Sequence, residues 1–267
     1  MEQQQIDKII KLYSLRRPVK EISRQTNISP DKIKQFLMEN KLWTGHRFLK
    51  SYYDEFFFDH IDTEEKAYWL GFIFADGYLL KSSSTIGIEL EEKDKPHLEK
   101  FRQALKAERE VKIYHKNSTF GPQTNCRFSI GSKHLHEMLL SYFKTVDKTH
   151  EGVLPQLYRE ELVRHCIRGL FDGDGCLSGR FNSKNELITP SLSLTGTKET
   201  LLYVEEKSGF KWNWSQRFPE RDINNYSIGC GRINDCLNFL DYMYKDATVY
   251  LDRKYDRYKQ VLKNRHL

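Results

Sequence analysis

The chain contains an internal duplication, which limits the folds open to it more strongly than any other feature. The segment YWLGFIFADGYLL (68–80) is matched by CIRGLFDGDGCLSG (166–179), so that Asp76 corresponds to Asp174 at an offset of 98 residues. A second pair of blocks, FSIGSKHL from Phe128 and YSIGCGRI from Tyr226, has the same offset. Two separate blocks at one offset indicate two similar structural units in tandem.

Each copy has the same predicted order of elements. An apolar helix ends at Asp-Gly, and two strand-like segments follow, GYLL and TIGIELEE in the first copy and GCLSGRF and SLSLTGT in the second. A helix, a hairpin-like pair of strands and a last helix complete each copy. The alternation of polar and apolar residues in TIGIELEE is typical of a half-buried strand. The sequence therefore predicts an α+β fold of two αββαββα repeats, over residues 61–155 and 156–267.

Small residues precede both aspartates at a spacing of four, which places them on one face of each apolar helix. They are Gly71 and Ala75 in the first copy and Gly169 and Gly173 in the second. Such faces allow two helices to pack very closely, so we expect Asp76 and Asp174 to lie side by side. Neighbouring carboxylates at helix C-termini repel each other and oppose the helix dipoles, and divalent cations such as Mg²⁺ relieve both effects. A single Asp-Gly pair is more often a simple turn.

The first 50 residues carry the whole excess of positive charge. They contain 11 Lys and Arg against 5 Asp and Glu, whereas the remaining residues contain 32 of each. Helices are predicted over about residues 6–15, 19–25 and 31–40, with Ser29 as N-cap and Pro30 at the first helical position. This pattern resembles a helix-turn-helix module over residues 1–45, followed by a connector over 46–60. Lys32, Lys34 and Gln35 on the third helix are its predicted DNA contacts, although a three-helix bundle without DNA binding explains the same pattern.

The two duplicated segments, WLGFIFADG (69–77) and IRGLFDGDG (167–175), resemble the paired signature motifs of the LAGLIDADG homing endonucleases in their single-chain, two-repeat form. The resemblance covers about residues 60–267. It implies that the two motif helices pack at a pseudo-twofold interface and that the two four-stranded sheets form a saddle on the DNA major groove. It further implies that Asp76 and Asp174 share two or three Mg²⁺ ions, each aspartate serving the cleavage of one DNA strand.

The family also has a lysine near the end of each repeat, close to the scissile phosphates. The matching positions are Lys148 and Lys254, for which a catalytic role and an ordinary helix-capping role both remain open. A polar residue commonly ends the second strand of each repeat in the family. Glu92 and Thr197 are expected at those positions, and neither is a good match for the usual glutamine.

The resemblance also implies that strand side chains contact DNA, where Arg and Lys read guanine and Asn reads adenine. The predicted DNA-binding residues are Lys81, Lys112, Lys116, Arg127, Arg180, Lys184, Arg217 and Arg221. Further candidates for sequence specificity are Ser83, Thr85, Glu89, Tyr114, Asn182 and Ser193. Trp212 and Trp214 are expected either in the core or on this surface.

These features predict a Mg²⁺-dependent endonuclease that makes a site-specific double-strand break in DNA, as in intron homing, and that acts as a monomer. The alternatives are a non-cleaving binder with the same fold, either an RNA maturase or a transcription regulator, and an adaptor that uses only the front module. The two retained acidic residues favour cleavage.

The sequence also favours a soluble, intracellular protein, in the cytoplasm or an organelle matrix, without membrane contact. No apolar run reaches transmembrane length, and the first residues lack the apolar region of a signal peptide. The five cysteines form no CxxC pair, which favours reduced thiols over disulfides or a zinc site.

Overall fold

The computed structural model describes residues 1–44, 52–118, 121–216 and 224–264. The chain divides into two compact units, one formed by Met1–Asp54 with Arg102–Glu110 and the other by Glu55–Phe101 with Val111–Leu267. Within the described ranges, no helix is both long enough and apolar enough to cross a membrane.

Three short helices lie in the N-terminal part of the first unit, as the sequence predicts. They are α1 (Gln3–Ser14), α2 (Val19–Thr26) and α3 (Pro30–Glu39). Helix α2 ends because Asn27 adopts the left-handed conformation, with φ of 56°. Helix α3 begins with Ser29 as N-cap and Pro30 in its first turn. The apolar faces enclose a core of Ile9, Tyr13, Val19, Ile22, Ile28, Ile33 and Leu37.

Two repeats of the same order follow these three helices along the chain. The first comprises α4 (Glu64–Asp76), β1 (Gly77–Leu80), β2 (Thr85–Glu91), a 3₁₀ turn (Glu92–Asp94), α5 (Lys95–Ala104), β3 (Lys112–Ser118), β4 (Gly121–Gly131), α6 (Lys133–Phe143) and α7 (Lys148–Glu151). Its strands form an antiparallel sheet in the order β1-β2-β4-β3.

The second repeat comprises α8 (Glu160–Asp174), β5 (Gly175–Phe181), β6 (Leu187–Gly196), α9 (Lys198–Ser208), β7 (Asn213–Ser215), β8 (Tyr226–Cys230), α10 (Ile233–Tyr244) and α11 (Asp252–Asn264). Its sheet has the matching antiparallel order β5-β6-β8-β7. The predicted α+β duplication is confirmed. Helices α7 and α11, which follow the last predicted helix of each repeat, are additions that the sequence analysis did not anticipate.

Helix α4 is apolar almost all round because it is buried. Thr63 caps its start by accepting a hydrogen bond from the Lys66 amide at 3.3 Å, and Glu64 and Glu65 in the first turn favour the helix dipole. Residues 67–74 are all buried. A helix with this pattern belongs inside a domain and not on its surface.

Each sheet has one buried and one polar face, as antiparallel sheets commonly do. The buried side chains are Ile86, Ile88, Phe128 and Ile130 in the first sheet and Leu177, Leu192, Leu194 and Ile228 in the second. The residues between them in sequence point to the opposite face. Four of the predicted DNA contacts, Lys112, Lys116, Arg127 and Arg180, lie on these polar faces.

Candidate active site

Helices α4 and α8 touch backbone to backbone at their glycines. A Cβ atom built on Gly71 would lie 2.0 Å from the carbonyl oxygen of Cys166, and one on Gly169 would lie 2.0 Å from that of Tyr68. Farther along, a Cβ atom on Gly173 would lie 2.3 Å from the Cβ atom of Ala75. The predicted packing along the small residues is confirmed, and it leaves no room for a larger side chain at any of the three glycines.

This crossing brings the two aspartates to the same end of the helix pair. Asp76 and Asp174 are the last residues of α4 and α8, and each is followed by a glycine that begins the next strand. The Oδ2 atom of Asp76 lies 3.3 Å from the position that a Cβ atom on Gly173 would occupy. Asp76 is half-buried, whereas Asp174 is open to solvent on the wall of a cavity of about 370 Å³.

Both carboxyl groups resist ionisation. Loss of surrounding water, and then the charge of Asp76, raise the pKa of Asp174 to about 6. Loss of water also raises the pKa of Asp76, although the positive charges of Lys254, Lys148 and Arg253 oppose this shift. The pKa values of both carboxyl groups therefore stay above their usual range, because the neighbouring cations offset the loss of water only in part.

Lys148 and Lys254 occupy matching positions beneath the ends of the two helices. The Nζ atom of Lys148 donates hydrogen bonds to the carbonyl oxygens of Ile73, Phe74 and Gly77. The Nζ atom of Lys254 donates to those of Phe171, Asp172 and Gly175. Each ammonium group thus satisfies carbonyls at a helix C-terminus and offsets the negative end of the dipole. Their predicted catalytic role remains a prediction.

The surroundings of the two lysines differ. Next to Lys254, Arg253 forms an ion pair with Asp94 at 3.1 Å. At the position matching Arg253 the first repeat has Asp147, which caps α7 and contacts the ring of His150 at 3.0 Å. The two repeats therefore match in their backbones but differ in the charge of the residue that precedes each lysine.

A structural metal site is not built around the aspartates. Among the described residues, no group of three or more His, Cys, Asp or Glu side chains is arranged to hold a metal ion. Two neighbouring carboxylates, one of them on the wall of a cavity, do fit Mg²⁺, which commonly takes one or two carboxylates and completes its coordination with water and phosphate. The same donor set does not fit zinc, which takes three or four protein ligands.

Asp172, two residues before Asp174, has a structural role. It is fully buried and accepts hydrogen bonds from the Tyr68 and Tyr244 hydroxyls at 2.8 and 2.5 Å and from the Leu251 amide at 2.8 Å. Its counterpart in the first repeat is Phe74. These bonds tie helix α8 to helix α4 and to the segment that leads into α11, and Asp172 is not half of a symmetric site.

Glu92 and Thr197 do not end strands. Glu92 begins the 3₁₀ turn after β2, and Thr197 is the buried N-cap of α9, whose hydroxyl donates to the Gly152 carbonyl at 2.6 Å. The strands end earlier because the chain turns into helical structure at these positions. Since Gly77 pairs with Ile88 and Gly175 with Leu194, the polar residues at the level of the aspartates are Glu89 and Thr195.

The predicted DNA contacts that fall within the described residues have exposed side chains, and their contact with DNA remains a prediction. The side chains of Lys81, Lys112, Lys116, Arg127, Arg180 and Lys184 are exposed, as are those of Lys32, Lys34 and Gln35 on α3. Arg217 and Arg221 lie outside the described residues. Trp212 is buried against Phe239 and belongs to the core, and Trp214 donates to Glu205 at 2.9 Å.

Sequence reasoning missed the Arg253–Asp94 pair and the contacts of Glu89. Glu89, Lys116 and Arg127 were each candidates for DNA recognition, but the structure joins them in one cluster. Lys116 Nζ lies 3.1 Å from Glu89 Oε1, and Arg127 Nη2 lies 2.6 Å from Glu89 Oε2. Strand alternation gives the face of each residue but not the register between strands, so no signal in the sequence could have paired them.

Comparison with known proteins supports the fold and not more. No protein-family model matches the sequence, and no curated protein matches it either. Among solved structures, the homing endonuclease I-WcaI bound to its DNA recognition sequence is similar over 73% of this chain and 85% of its own, with 15% identity and a TM-score of 0.50. The LAGLIDADG homing endonuclease I-LtrWI bound to target DNA is similar over 76% and 92%, with 12% identity and a TM-score of 0.50.

A third similar structure is full-length DUF199/WhiA from Thermatoga maritima, with 17% identity and a TM-score of 0.47. The match covers 80% of this chain but only 66% of that protein. At these identities a likeness establishes architecture alone. The chain, with its two αββαββα repeats joined through paired motif helices, has the duplicated fold of the LAGLIDADG homing endonucleases.

Proposed function

We propose that the chain is a site-specific DNA endonuclease that makes a double-strand break by hydrolysing one phosphodiester bond in each strand. The observation that carries this proposal is the pair of carboxylates, Asp76 and Asp174, held together by helices that touch at their backbones. Two acidic groups with raised pKa values are costly to keep so close. Binding of divalent cations, with the phosphate groups that accompany them, would reduce the repulsion between the two carboxylates.

Asp76 and Asp174 would hold Mg²⁺, two or three ions being shared between them. Bound there, Mg²⁺ would lower the pKa of a coordinated water and stabilise the leaving oxygen of the phosphodiester. The residues around the pair keep it in place. Lys148 and Lys254 hold the last turns of the two helices, so that the carboxylates remain at a fixed separation while the substrate binds.

DNA as the substrate is supported by two features. Structures with the same fold are described as complexes with DNA targets, and the polar faces of both sheets carry exposed Lys and Arg side chains. The basic first unit, with Lys32 and Lys34 exposed on α3, would add a further contact with the phosphate backbone. We propose that the protein acts as a monomer, because a single chain supplies both aspartates, and that its biological setting is homing.

The test is cleavage of a randomised-site duplex library in Mg²⁺ by the wild-type chain, Asp76→Asn and Asp174→Asn. We expect the wild type to yield a defined set of double-strand breaks that EDTA abolishes. Each variant should lose double-strand cleavage by at least roughly 100-fold, while its affinity for the recovered site in EDTA stays near that of the wild type.

A matched control is Asp256→Asn, which makes the same chemical change at an exposed residue of α11 that pairs with Lys259. It should cleave like the wild type. If the Asp76 and Asp174 variants cut normally, the aspartates do not carry the reaction. If they lose binding together with cleavage, the aspartates are structural. If the wild type binds duplex DNA but cuts nothing, the chain is a non-cleaving binder.

A further inference from the structure

The polar face of the first sheet carries a row of charged side chains at the level of Asp76. Glu89 on β2 lies opposite Arg127 on β4, which in turn lies opposite Lys112 on β3. Directly opposed residues of antiparallel strands share a face, and their neighbours Ile88 and Phe128 are buried on the other side. The row therefore faces the surface that the proposed function assigns to DNA.

Glu89 is the centre of this row. Its Oε2 atom accepts from Arg127 Nε at 3.1 Å and from Arg127 Nη2 at 2.6 Å. Its Oε1 atom accepts from Lys116 Nζ and Asn125 Nδ2, both at 3.1 Å. A carboxylate with four such bonds has its accepting capacity filled. Glu89 is therefore not itself available to accept a hydrogen bond from a DNA base.

Arg127 is held on a second side as well. Its Nη2 atom donates to the Tyr114 hydroxyl at 3.2 Å, and the guanidinium carbon lies 4.8 Å from the centre of the Tyr114 ring. The hydrogen bonds to Glu89 and Tyr114 use the Nε and Nη2 atoms of Arg127. They do not involve the two N–H groups of its Nη1 atom. The side chain of Arg127 is nevertheless 46% exposed. An exposed arginine with this many fixed contacts has lost most of its conformational freedom before any ligand arrives.

Among the described residues of the second sheet, the row at the same level is uncharged. Thr195 on β6 lies opposite Ser227 on β8, which lies opposite Ser215 on β7. The three side chains are hydroxyls, and none is charged. The two repeats thus present chemically different rows at corresponding places in their sheets.

We propose that Glu89 is a positioning residue that fixes Arg127 and Lys116 to read a guanine in the half of the DNA target that lies on the first sheet, with no equivalent reading in the other half. The inference deepens the proposed function and rests on it. Guanine presents two acceptors, O6 and N7, in the major groove, and fixed Arg and Lys donors match this pattern. The same two side chains, if mobile, would contact phosphates without regard to sequence.

Charge supports this role for Glu89. Partial burial opposes its ionisation, but the hydrogen bonds that it accepts, among them those from Arg127, Lys116 and Asn125, lower its pKa to about 2. Glu89 is therefore negative at neutral pH and cancels one of the two positive charges beside it. The cluster therefore attracts DNA less strongly through its net charge, but its Arg and Lys donors point in a defined direction.

The test is selection of bound sites from randomised duplex DNA in EDTA, followed by affinity measurements over a range of salt concentrations. The variants are Glu89→Gln, Arg127→Lys and Glu91→Gln. Glu91→Gln is the matched control, because Glu91 lies on the same strand, is 68% exposed and pairs only with Lys93 among the described residues. Both Glu→Gln changes remove one negative charge, whereas Arg127→Lys keeps the charge and removes the planar fork.

We expect the wild type to select guanine at a position in one half-site. Glu89→Gln and Arg127→Lys should each lose roughly tenfold in preference for guanine over adenine there, and Glu91→Gln should keep the preference. Glu89→Gln should also steepen the salt dependence of binding by about 0.9 in the log–log slope, as expected for one further phosphate contact. Circular dichroism and thermal melting of each variant would establish that it is folded.

Retention of the full guanine preference by folded Glu89→Gln would overturn the inference, as would selection of sites without guanine by the wild type. These results are separate from a failure of the proposed function. Loss of cleavage in Mg²⁺ is read in a different assay, and a chain that binds but does not cut can still select guanine through this cluster. A chain that binds no duplex DNA would overturn both.

Discussion

At the scale of single residues, Lys148 and Lys254 have an identifiable physical role. Each donates to three carbonyl oxygens at the end of a motif helix, where a carboxylate alone would oppose the dipole. Lys254 is only 3% exposed, and burial lowers its pKa to about 8. Because burial disfavours the charged form, Lys254 links the stability of the site to pH.

We predict that Lys254→Met lowers the free energy of unfolding by about 1–3 kcal/mol near pH 7, since three carbonyls lose their donor. The pKa of Lys254 lies near 8 in the folded chain and at 10.5 for a free lysine. Between these values unfolding takes up a proton, so rising pH stabilises the folded state. The difference in the free energy of unfolding between the wild type and the variant should therefore grow from pH 8 to 10.5. It is measured in metal-free denaturant titrations.

Lys263→Met on the same helix is the control, because Lys263 is 74% exposed. The free energy of unfolding of Lys263→Met should differ little from that of the wild type, and this difference should not grow over the same pH range. A pH-independent effect of Lys254→Met would mean that the lysine keeps its proton in the folded chain throughout.

The sequence located these residues but not their contacts. Lys148 and Lys254 could be placed near the ends of the repeats by matching the duplicated copies. That they point at helix carbonyls depends on α7 and α11, which the hydrophobic pattern did not predict. Similarly, Glu89, Lys116 and Arg127 could be assigned to one face of the sheet, whereas their pairing depends on strand register.

At the scale of elements, the crossing of α4 and α8 is the least tolerant part of the fold. The helices approach so closely that a Cβ atom on Gly169 would lie only 2.0 Å from the carbonyl oxygen of Tyr68. The sequence predicted this crossing because the small residues recur at helical spacing in both copies. It placed Thr197 in a strand because the alternation of SLSLTGT continues into a helix cap.

We predict that Gly169→Ala lowers the free energy of unfolding by at least about 3 kcal/mol, because the added methyl group meets backbone that has little freedom to move. The change would otherwise favour the helix by about 1 kcal/mol, since alanine is the better helix former. The measurement is the shift in the urea midpoint of the wild type and the variant.

Gly231→Ala is the matched control, because a Cβ atom there meets nothing within 4 Å. Its urea midpoint should stay close to that of the wild type. An unchanged midpoint for Gly169→Ala would show that the two helices can separate without loss of stability. The two aspartates would then not be held at a fixed separation by this contact.

At the scale of the whole molecule, charge is distributed unevenly along the chain. The first 50 residues hold the net excess of positive charge, and the two-repeat body is neutral. The three helices of the first unit were predictable from their caps and apolar spacing. Whether they contact DNA was not, because a helical bundle with exposed lysines has the same pattern.

We predict that the double substitution Lys32→Ala with Lys34→Ala reduces the log–log salt slope of DNA binding by about 1.8, the value for two phosphate contacts. Cleavage of DNA that is already bound should continue, because the substitutions leave Asp76 and Asp174 unchanged. The slope is obtained from affinities in EDTA at several salt concentrations.

The control removes the same charge from α1 through Lys8→Ala with Lys11→Ala, two residues exposed on that helix. A control that reduces the slope equally would show that the first unit attracts DNA through its total charge. Only a larger effect of the α3 pair supports a helix-turn-helix contact.

The backbone contacts of Gly71 with Cys166 and of Gly169 with Tyr68 have a consequence for the products of the proposed reaction. Because the two helices meet through main-chain atoms, the spacing of the aspartates is set by covalent geometry and not by adjustable side chains. An enzyme whose two catalytic groups are held in this way cuts the two DNA strands at a fixed distance from each other. The single-stranded overhangs that it leaves should have one length for every target sequence that it accepts.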